Sequence, residues 1–343
     1  MDSLTQIALG SAVSVAVMGR RTAPWKAALW GAIGGTLPDL DVVIDYGNPV
    51  LNMVRHRAET HSLFYLSLLS PLLGWLAARV HGEQRGFKHW WLAMWLVLVT
   101  HPLLDNMTVY GTQLLVPFTS YPFGVGSIFI IDPAYTLPLL VGVGAALIHK
   151  SQRGLRWNAA ALSISSLYLG WTMVAQQRVT TLAQHALPVA QASHGDLLVT
   201  PTPFNSVLWR LVYTTPDQYF EAYYSWFDPA PDINWTAHPR GADLIERYAD
   251  LDAVARIAAF SHGFYKMELS PQDRVVLSDL RMGQEPTYSF RFDLGHSQPG
   301  GSDTVGAAPI RQLSMRPDLN KALPWLWQRM TGRTQASWVA SHP

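Results

Sequence analysis

Long apolar stretches separated by short polar connections occupy the first half of the chain. They fall at about 4 to 19, 26 to 44, 62 to 80, 90 to 105, 133 to 149 and 157 to 175. A transmembrane helix needs roughly 17 to 25 mostly apolar residues, so each stretch could span or nearly span a bilayer. The pattern predicts an α-helical integral membrane bundle of about six transmembrane helices, forming a domain over residues 1–177.

The pattern changes from about residue 195, where short stretches of alternating apolar and polar residues are broken by Pro, Gly and Asp. These stretches predict β-strands at 197–200, 207–214, 219–226 and 288–292. Apolar residues at helical spacing over 243–260 predict one amphipathic helix among them. Residues 295–308 are rich in Gly and Ser and predict a loop. Residues 195–332 therefore predict a small α+β domain outside the membrane.

The basic residues test this topology independently, because cytoplasmic loops of membrane proteins collect Lys and Arg. Lys and Arg concentrate in the first, third and fifth connections, over 20–26, 79–88 and 150–156. The second connection has only Arg55 and Arg57, and residues 106–132 contain neither Lys nor Arg. The alternation fits six spans with both termini outside. It predicts a multi-pass protein whose C-terminal domain is extracytoplasmic.

Composition narrows the possible functions further. Charged residues make up 14% of the chain, against about a quarter in typical soluble proteins. The formal net charge is +1, so no overall basic field points to nucleic acid as a partner. Because the chain has no cysteine, any metal must be held by His and carboxylate side chains.

Ionisable side chains beside predicted spans are costly, so each needs a partner or a function. Three short segments carry such residues to the same predicted membrane face, namely 37–41 (LPDLD), 56–62 (HRAETHS) and 100–105 (THPLLD). The candidate metal ligands in these segments are Asp39, Asp41, His56, His61, His101 and Asp105. This combination suits Zn²⁺, with Mn²⁺ as the alternative, in a site for one ion or two.

Three further residues of the second segment are candidates for catalysis. A metal with an open coordination position lowers the pKa of bound water toward about 7, which supplies a nucleophile. Glu59 is then the candidate general base. Arg57 or Thr60 would steady the negative charge that develops on the substrate.

Simpler interpretations of single residues stand beside these. Asp39 or Asp41 could cap the next helix, and Asp132 before Pro133 has the position of an N-cap. Ser3 and Gln6 have the spacing of a capping box at the start of the first helix.

Five motifs together resemble the YdjM-like family of bacterial inner-membrane proteins regarded as metal-dependent hydrolases. They are 1–6 (MDSLTQ), 37–41, His56-Arg57 with Thr60-His61-Ser62, 100–105 and 110–112 (YGT). The resemblance covers roughly residues 1 to 150 and implies a membrane-embedded metal site with hydrolytic chemistry, akin to zinc-dependent phospholipases C. Many family members carry His where this chain has Gln6, and some carry Gly-Phe or Gly-Ile in place of Ala58-Glu59, which weakens Glu59 as a required base.

These observations predict a metal-dependent hydrolase of the bacterial cytoplasmic (inner) membrane. Its substrate would be an ester or phosphoester of a lipid or lipid-linked molecule at the extracytoplasmic face, so membrane lipid is the expected partner. One alternative is a transporter or metal-handling membrane protein, which predicts acidic residues in mid-span and often two related halves; the sequence has neither. Another is a structural envelope protein with a non-catalytic metal site.

Overall fold

The computed structural model describes residues 1–187, 195–228, 233–297, 304–315 and 318–333. The chain divides into two compact units. The helical unit comprises Met1–Ile44, Arg55–Val174 and Pro203–Asn205, and the α+β unit comprises Asp45–Val54, Ala175–Thr202 and Ser206–Pro343. The protein is therefore a helical N-terminal region followed by a small α+β domain, as the sequence pattern predicts.

Each predicted apolar stretch of the N-terminal half contains an α-helix. In chain order the helices are α1 (Ser3–Met18), α2 (Pro24–Thr36), α3 (Pro49–Arg55), α4 (Leu63–Val80), α5 (Phe87–Asn106), α6 (Pro133–His149) and α7 (Gln152–His185). Short 3₁₀ helices cover Pro38–Val43, Glu59–His61 and Gln84–Gly86. Residues of α7 from Ala175 onward belong to the α+β unit.

Two helix ends depend on residues that the sequence patterns single out. The second apolar stretch is not one helix, because α2 ends at Thr36 and Pro38 begins a 3₁₀ helix. Leu37 keeps helical backbone angles, but Pro38 lacks the N–H that would continue the α-helix. At α6, Asp132 accepts hydrogen bonds from the backbone N–H groups of Ala134 and Tyr135, which confirms its N-cap role.

The start of α1 differs from the capping box predicted for Ser3 and Gln6. The N-cap is Asp2, whose carboxylate accepts a hydrogen bond from the Thr5 backbone N–H at 3.1 Å. The capping-box prediction is wrong, because Asp2 already fills the acceptor role and Ser3 is the first helical residue. The Gln6 side chain therefore takes no part in capping α1.

Glycines allow α1 and α2 to pack backbone against backbone. A Cβ added at Gly31 would lie 2.2 Å from the carbonyl oxygen of Gly10, and one added at Gly35 would lie 2.4 Å from that of Gln6. Real side chains cannot approach a backbone so closely, so this contact requires glycine. Small residues at helix interfaces are typical of membrane proteins.

The outer surface of the helical unit is apolar. Among the described residues, one helix, α4, is long and apolar enough to cross a membrane by length and composition, while α1 and α6 are apolar but shorter. Leu68 on α4 is 62% exposed, Ile148 on α6 is 77% exposed and Leu167 on α7 is 74% exposed. Large exposed apolar surfaces mark contact with lipid or another partner. The number of about six spans stays a prediction.

The α+β unit contains two four-stranded antiparallel sheets. The first has the order β1 (Asp196–Pro201), β2 (Leu208–Thr214), β3 (Gln218–Ser225) and β4 (Thr236–Pro239). Helices α8 (Ala242–Arg247) and α9 (Asp252–Phe260) precede β5 (Tyr265–Leu269), β6 (Arg274–Asp279), β7 (Gly283–Gln284), β8 (Thr287–Tyr288), β9 (Arg291–His296), β10 (Arg311–Leu313) and α10 (Leu319–Met330). The second sheet has the order β10-β9-β6-β5, and β7 pairs with β8.

Three expectations for this unit need correction. The helix predicted over 243–260 is two helices, because Leu251 has an extended backbone and interrupts it; apolar spacing reveals the buried face but not continuous hydrogen bonding. The strand predicted over 288–292 is divided between β8 and β9. Within the predicted loop 295–308, the first two residues belong to β9, and residues 298–303 lie outside the described residues.

Candidate metal centre

Four side chains from three separate segments converge in the helical unit. Asp39 comes from the 3₁₀ helix after α2, His61 from the 3₁₀ helix before α4, and His101 and Asp105 from α5. One nitrogen or oxygen atom of each lies within 4.8 Å of the other three. Because α5 continues through Pro102, His101 and Asp105 share one helical face, as their spacing predicts.

Five of the six distances within this group match those of a tetrahedral ion site. The Nε2 atoms of His61 and His101 are 3.2 Å apart and lie 3.2 and 3.3 Å from Asp105 Oδ2. Asp39 Oδ1 lies 3.3 Å from Nε2 of His61 and 3.5 Å from Nε2 of His101. Four tetrahedral ligands at the usual zinc bond lengths lie about 3.3 to 3.4 Å from one another. The five distances are therefore those expected around a zinc-sized ion.

Hydrogen bonds to the far side of each imidazole assign its protons. His101 Nδ1 lies 2.8 Å from the carbonyl oxygen of Gly35, which can only accept, so Nδ1 carries the hydrogen. His61 Nδ1 lies 2.9 Å from Thr60 Oγ1, and the Thr60 hydroxyl donates to Asp41 Oδ2 at 2.8 Å. The Thr60 oxygen therefore accepts from His61 Nδ1. In the neutral imidazoles, both Nε2 atoms are then left with lone pairs that face into the group.

These assignments leave the centre of the group without a proton donor. Two bare Nε2 atoms cannot hydrogen-bond to each other, and Asp105 Oδ2 is buried with no hydrogen-bond partner among the described residues. His61, His101 and Asp105 are buried, and Asp39 is 21% exposed. Buried acceptors in contact with one another are unfavourable unless a cation lies between them. The four residues therefore fit a metal ion.

Asp41 and His56, which the sequence also predicts as ligands, lie beside this group and support it. Asp41 Oδ1 lies 2.8 Å from His56 Nδ1, and Oδ2 accepts from the Arg57 backbone N–H and from Thr60. Both carboxylate oxygens are thus already engaged, and neither residue joins the four converging atoms.

The three predicted catalytic residues occupy different environments. The Arg57 guanidinium is buried, with Nη2 3.4 Å from Asp105 Oδ1 and Nη1 donating to Thr108 Oγ1 at 3.2 Å. Thr60 connects His61 to Asp41. The Glu59 side chain is 47% exposed and accepts a hydrogen bond from Arg55 at 2.7 Å. Arg57 and Thr60 contact members of the site, whereas Glu59 pairs at the surface.

Gln6 is a site residue that sequence reasoning missed. Its Nε2 donates to Asp105 Oδ1 at 3.1 Å and to the carbonyl oxygen of His101 at 3.4 Å. The Met1 amino group also contacts Asp105 Oδ1. The signal in the sequence was the predicted position of the start of α1 on the same membrane face as the three polar segments. The spacing of Ser3 and Gln6 instead suggested a capping box, which the structure does not contain.

Together the fold and the site define a helical protein with an apolar exterior and a buried His and Asp group that could hold a metal ion. Residues 1–179 match the family described as YdjM inner membrane protein, and the chain belongs to this family. The resemblance that the sequence motifs indicate is therefore confirmed, and the family is one of inner membrane proteins.

Two curated relatives are similar to this chain. It is 24% identical over 229 residues to the uncharacterized protein YfhP of Bacillus subtilis (strain 168), which covers 64% of this chain and 67% of YfhP. It is 30% identical over 95 residues to the inner membrane protein YbcI of Escherichia coli (strain K12), which covers 27% of this chain and 54% of YbcI. The chain thus spans about half the length of YbcI. No solved structure matches.

Proposed function

We propose that the protein is a membrane-bound metal-dependent hydrolase that cleaves an ester or phosphoester of a lipid or lipid-linked substrate. The observation that carries the proposal is the group of four acceptor atoms with neighbouring distances of 3.2 to 3.5 Å. Two imidazoles and two carboxylates suit Zn²⁺ best, with Mn²⁺ as the alternative. The proposal includes about six spans and a site and C-terminal domain on the extracytoplasmic side.

Different residues of the protein would have different roles in hydrolysis. Asp39, His61, His101 and Asp105 would hold the ion, which would polarise a substrate oxygen and activate a water molecule. Because four protein ligands fill a tetrahedral site, that oxygen would enter as a fifth ligand. Asp39 is the most exposed of the four, so a substrate would approach on its side. Arg57 places positive charge beside Asp105, where it would balance the charge of an anionic substrate.

Apolar residues next to the site support a lipid substrate. Along the 3₁₀ helix that carries Asp39, Leu40 is 58% exposed, Val42 is 73% exposed and Val43 is 81% exposed. Exposed aliphatic side chains beside a buried polar group suit a ligand with a polar head and acyl chains. The same residues would lie at a membrane surface without cost.

Metal analysis tests the site directly. We expect near-stoichiometric zinc in detergent-purified wild-type protein and its loss in His61→Ala. His185→Ala is the matched control, because His185 is an exposed residue at the end of α7. Equal metal content in the wild-type protein and both variants would rule out the proposed metal site.

Hydrolysis tests the enzymatic part of the proposal. Phospholipids and a chromogenic phosphodiester should be cleaved by wild-type protein, and cleavage should be lost in Asp39→Asn and after chelation. Bound metal without cleavage of these substrates would favour the structural envelope protein. Metal-ion uptake into proteoliposomes without cleavage would favour the transporter.

A further inference from the structure

A cavity of about 750 Å³ lies in the helical unit between the α1–α2 connection and the α6–α7 connection. It is distant from the metal centre. Gln6, near the start of α1, contacts Asp105, whereas Gly19, just beyond the end of the same helix, lines the cavity. The 16 residues of α1 rise about 24 Å, so the cavity and the metal centre lie at opposite ends of this helix. Its volume is in the range of small-ligand sites.

The lining of the cavity includes both cationic and apolar residues. Arg20 and Lys150 supply positive charge, Ser151 supplies a hydroxyl, and Trp25 and Leu155 supply apolar surface. No acidic residue is among the lining residues. Within the described part of the chain, neither Arg20 nor Lys150 forms an ion pair with a carboxylate. Two cations therefore face one cavity without an anion to balance them.

The connections around the cavity are also positively charged. The connections 20–26, 79–88 and 150–156 contain nine Lys and Arg residues and a single acidic residue, Glu83. Glu83 is already engaged, because it accepts hydrogen bonds from Lys26 at 2.8 Å, Thr22 at 2.9 Å and Trp90 at 3.0 Å. The end of the helical unit that holds the cavity thus attracts anions, and basic pockets between membrane helices commonly bind anionic lipid headgroups.

We propose that the cavity binds the phosphate headgroup of an anionic phospholipid from the membrane leaflet on this side. Arg20 and Lys150 bind the phosphate, and Ser151 donates a hydrogen bond to it. Trp25 and Leu155 pack against the glycerol and the first acyl carbons, which a free phosphate lacks. The inference rests on the membrane placement in the proposed function, but not on the metal or on hydrolysis.

The test uses the full-length protein in a neutral detergent. Phosphatidylglycerol in mixed micelles is titrated against wild-type protein and against a double variant, Arg20→Gln with Lys150→Gln, with phosphatidylcholine and inorganic phosphate as separate arms. The matched control is Arg79→Gln with Arg85→Gln, which removes the same charge outside the cavity lining. We expect the dissociation constant for phosphatidylglycerol to rise about 30-fold in the cavity variant and less than about 3-fold in the control.

Three outcomes would decide the matter against the proposal. Equal weakening in both double variants would mean that binding follows total surface charge. Binding of inorganic phosphate in the same concentration range would mean that the cavity takes a soluble anion, and equal binding of phosphatidylcholine would remove the role of charge. The exchange Arg20→Lys with Lys150→Arg retains both charges and should retain binding, which separates loss of charge from misfolding. Metal content measured on the same samples should stay at the wild-type level, because the two sites are independent.

Discussion

Thr60→Val tests how His61 is held in the metal centre. The Thr60 hydroxyl accepts from His61 Nδ1 and donates to Asp41 Oδ2, so it fixes both the proton and the orientation of the ring. Valine retains the branched shape of threonine and removes only the hydroxyl. The substitution therefore leaves all four proposed ligands present and changes only the group behind one of them.

The magnitude follows from the two hydrogen bonds that are lost. They measure 2.9 and 2.8 Å, and without the hydroxyl the direct distance from His61 Nδ1 to Asp41 Oδ2 is 3.9 Å, too long for a replacement hydrogen bond. Loss of such an outer partner typically lowers metal affinity about 10- to 100-fold. That corresponds to about 1.4 to 2.7 kcal/mol, which is comparable with one hydrogen bond to a charged group.

Zinc affinity would be measured in detergent by competition with a chromophoric chelator. Thr60→Ser should retain most of the wild-type affinity because it keeps the hydroxyl. Thr100→Val is the matched control, since Thr100 precedes His101 but its hydroxyl donates to its own helix at Leu96, 2.7 Å away. Wild-type zinc affinity in Thr60→Val, or an equal loss of affinity in Thr100→Val, would refute the proposal that the Thr60 hydroxyl holds His61 in place for the metal.

Three further predictions concern packing, catalysis and pH. Gly31→Ala should cost about 1 to 3 kcal/mol by overpacking and lower the thermal midpoint in detergent, whereas Gly144→Ala, with no neighbouring atom within 4 Å, should not. Glu59→Gln should leave phosphodiester hydrolysis nearly unchanged because its carboxylate pairs at the surface; a loss of about 100-fold would identify it as the general base. Burial raises the pKa of Glu285, but the nearby lysine charge and a tyrosine hydrogen bond outweigh it, so its folded pKa is lowered. Its stabilising contribution is present above the unfolded pKa of about 4.3 and is lost as pH falls from there through the lower folded pKa. Glu285→Gln should therefore flatten the decline of the thermal midpoint below about pH 5, while exposed Glu246→Gln should not.

Apolar runs were sufficient to predict six of the seven α-helices described in the N-terminal half, because burial and lipid exposure both demand long apolar runs. They did not predict α3, which is short. They also could not locate the end of α2, where the run stays apolar but Pro38 changes the backbone. In the C-terminal half the same limitation made two helices look like one, since the extended backbone at Leu251 leaves the apolar spacing intact.

The sequence identified the polar segments of the candidate site but not the role of each residue. Asp39 and Asp41 are two residues apart on a 3₁₀ helix, which has three residues per turn, so their side chains point in different directions. One joins the converging atoms and the other bonds to His56. That difference depends on backbone geometry, so the residue types alone do not show which of the two aspartates joins the metal centre.

The contact between His101 and the Gly35 carbonyl makes one imidazole depend on a main-chain atom. No side-chain substitution removes this acceptor, but the position of α2 determines where it lies. Gly31 is one helical turn earlier and controls how closely α2 approaches α1. Enlarging Gly31 would therefore displace the carbonyl oxygen that orients the His101 ring, so metal affinity would respond to a change at the helix interface that leaves every coordinating side chain in place.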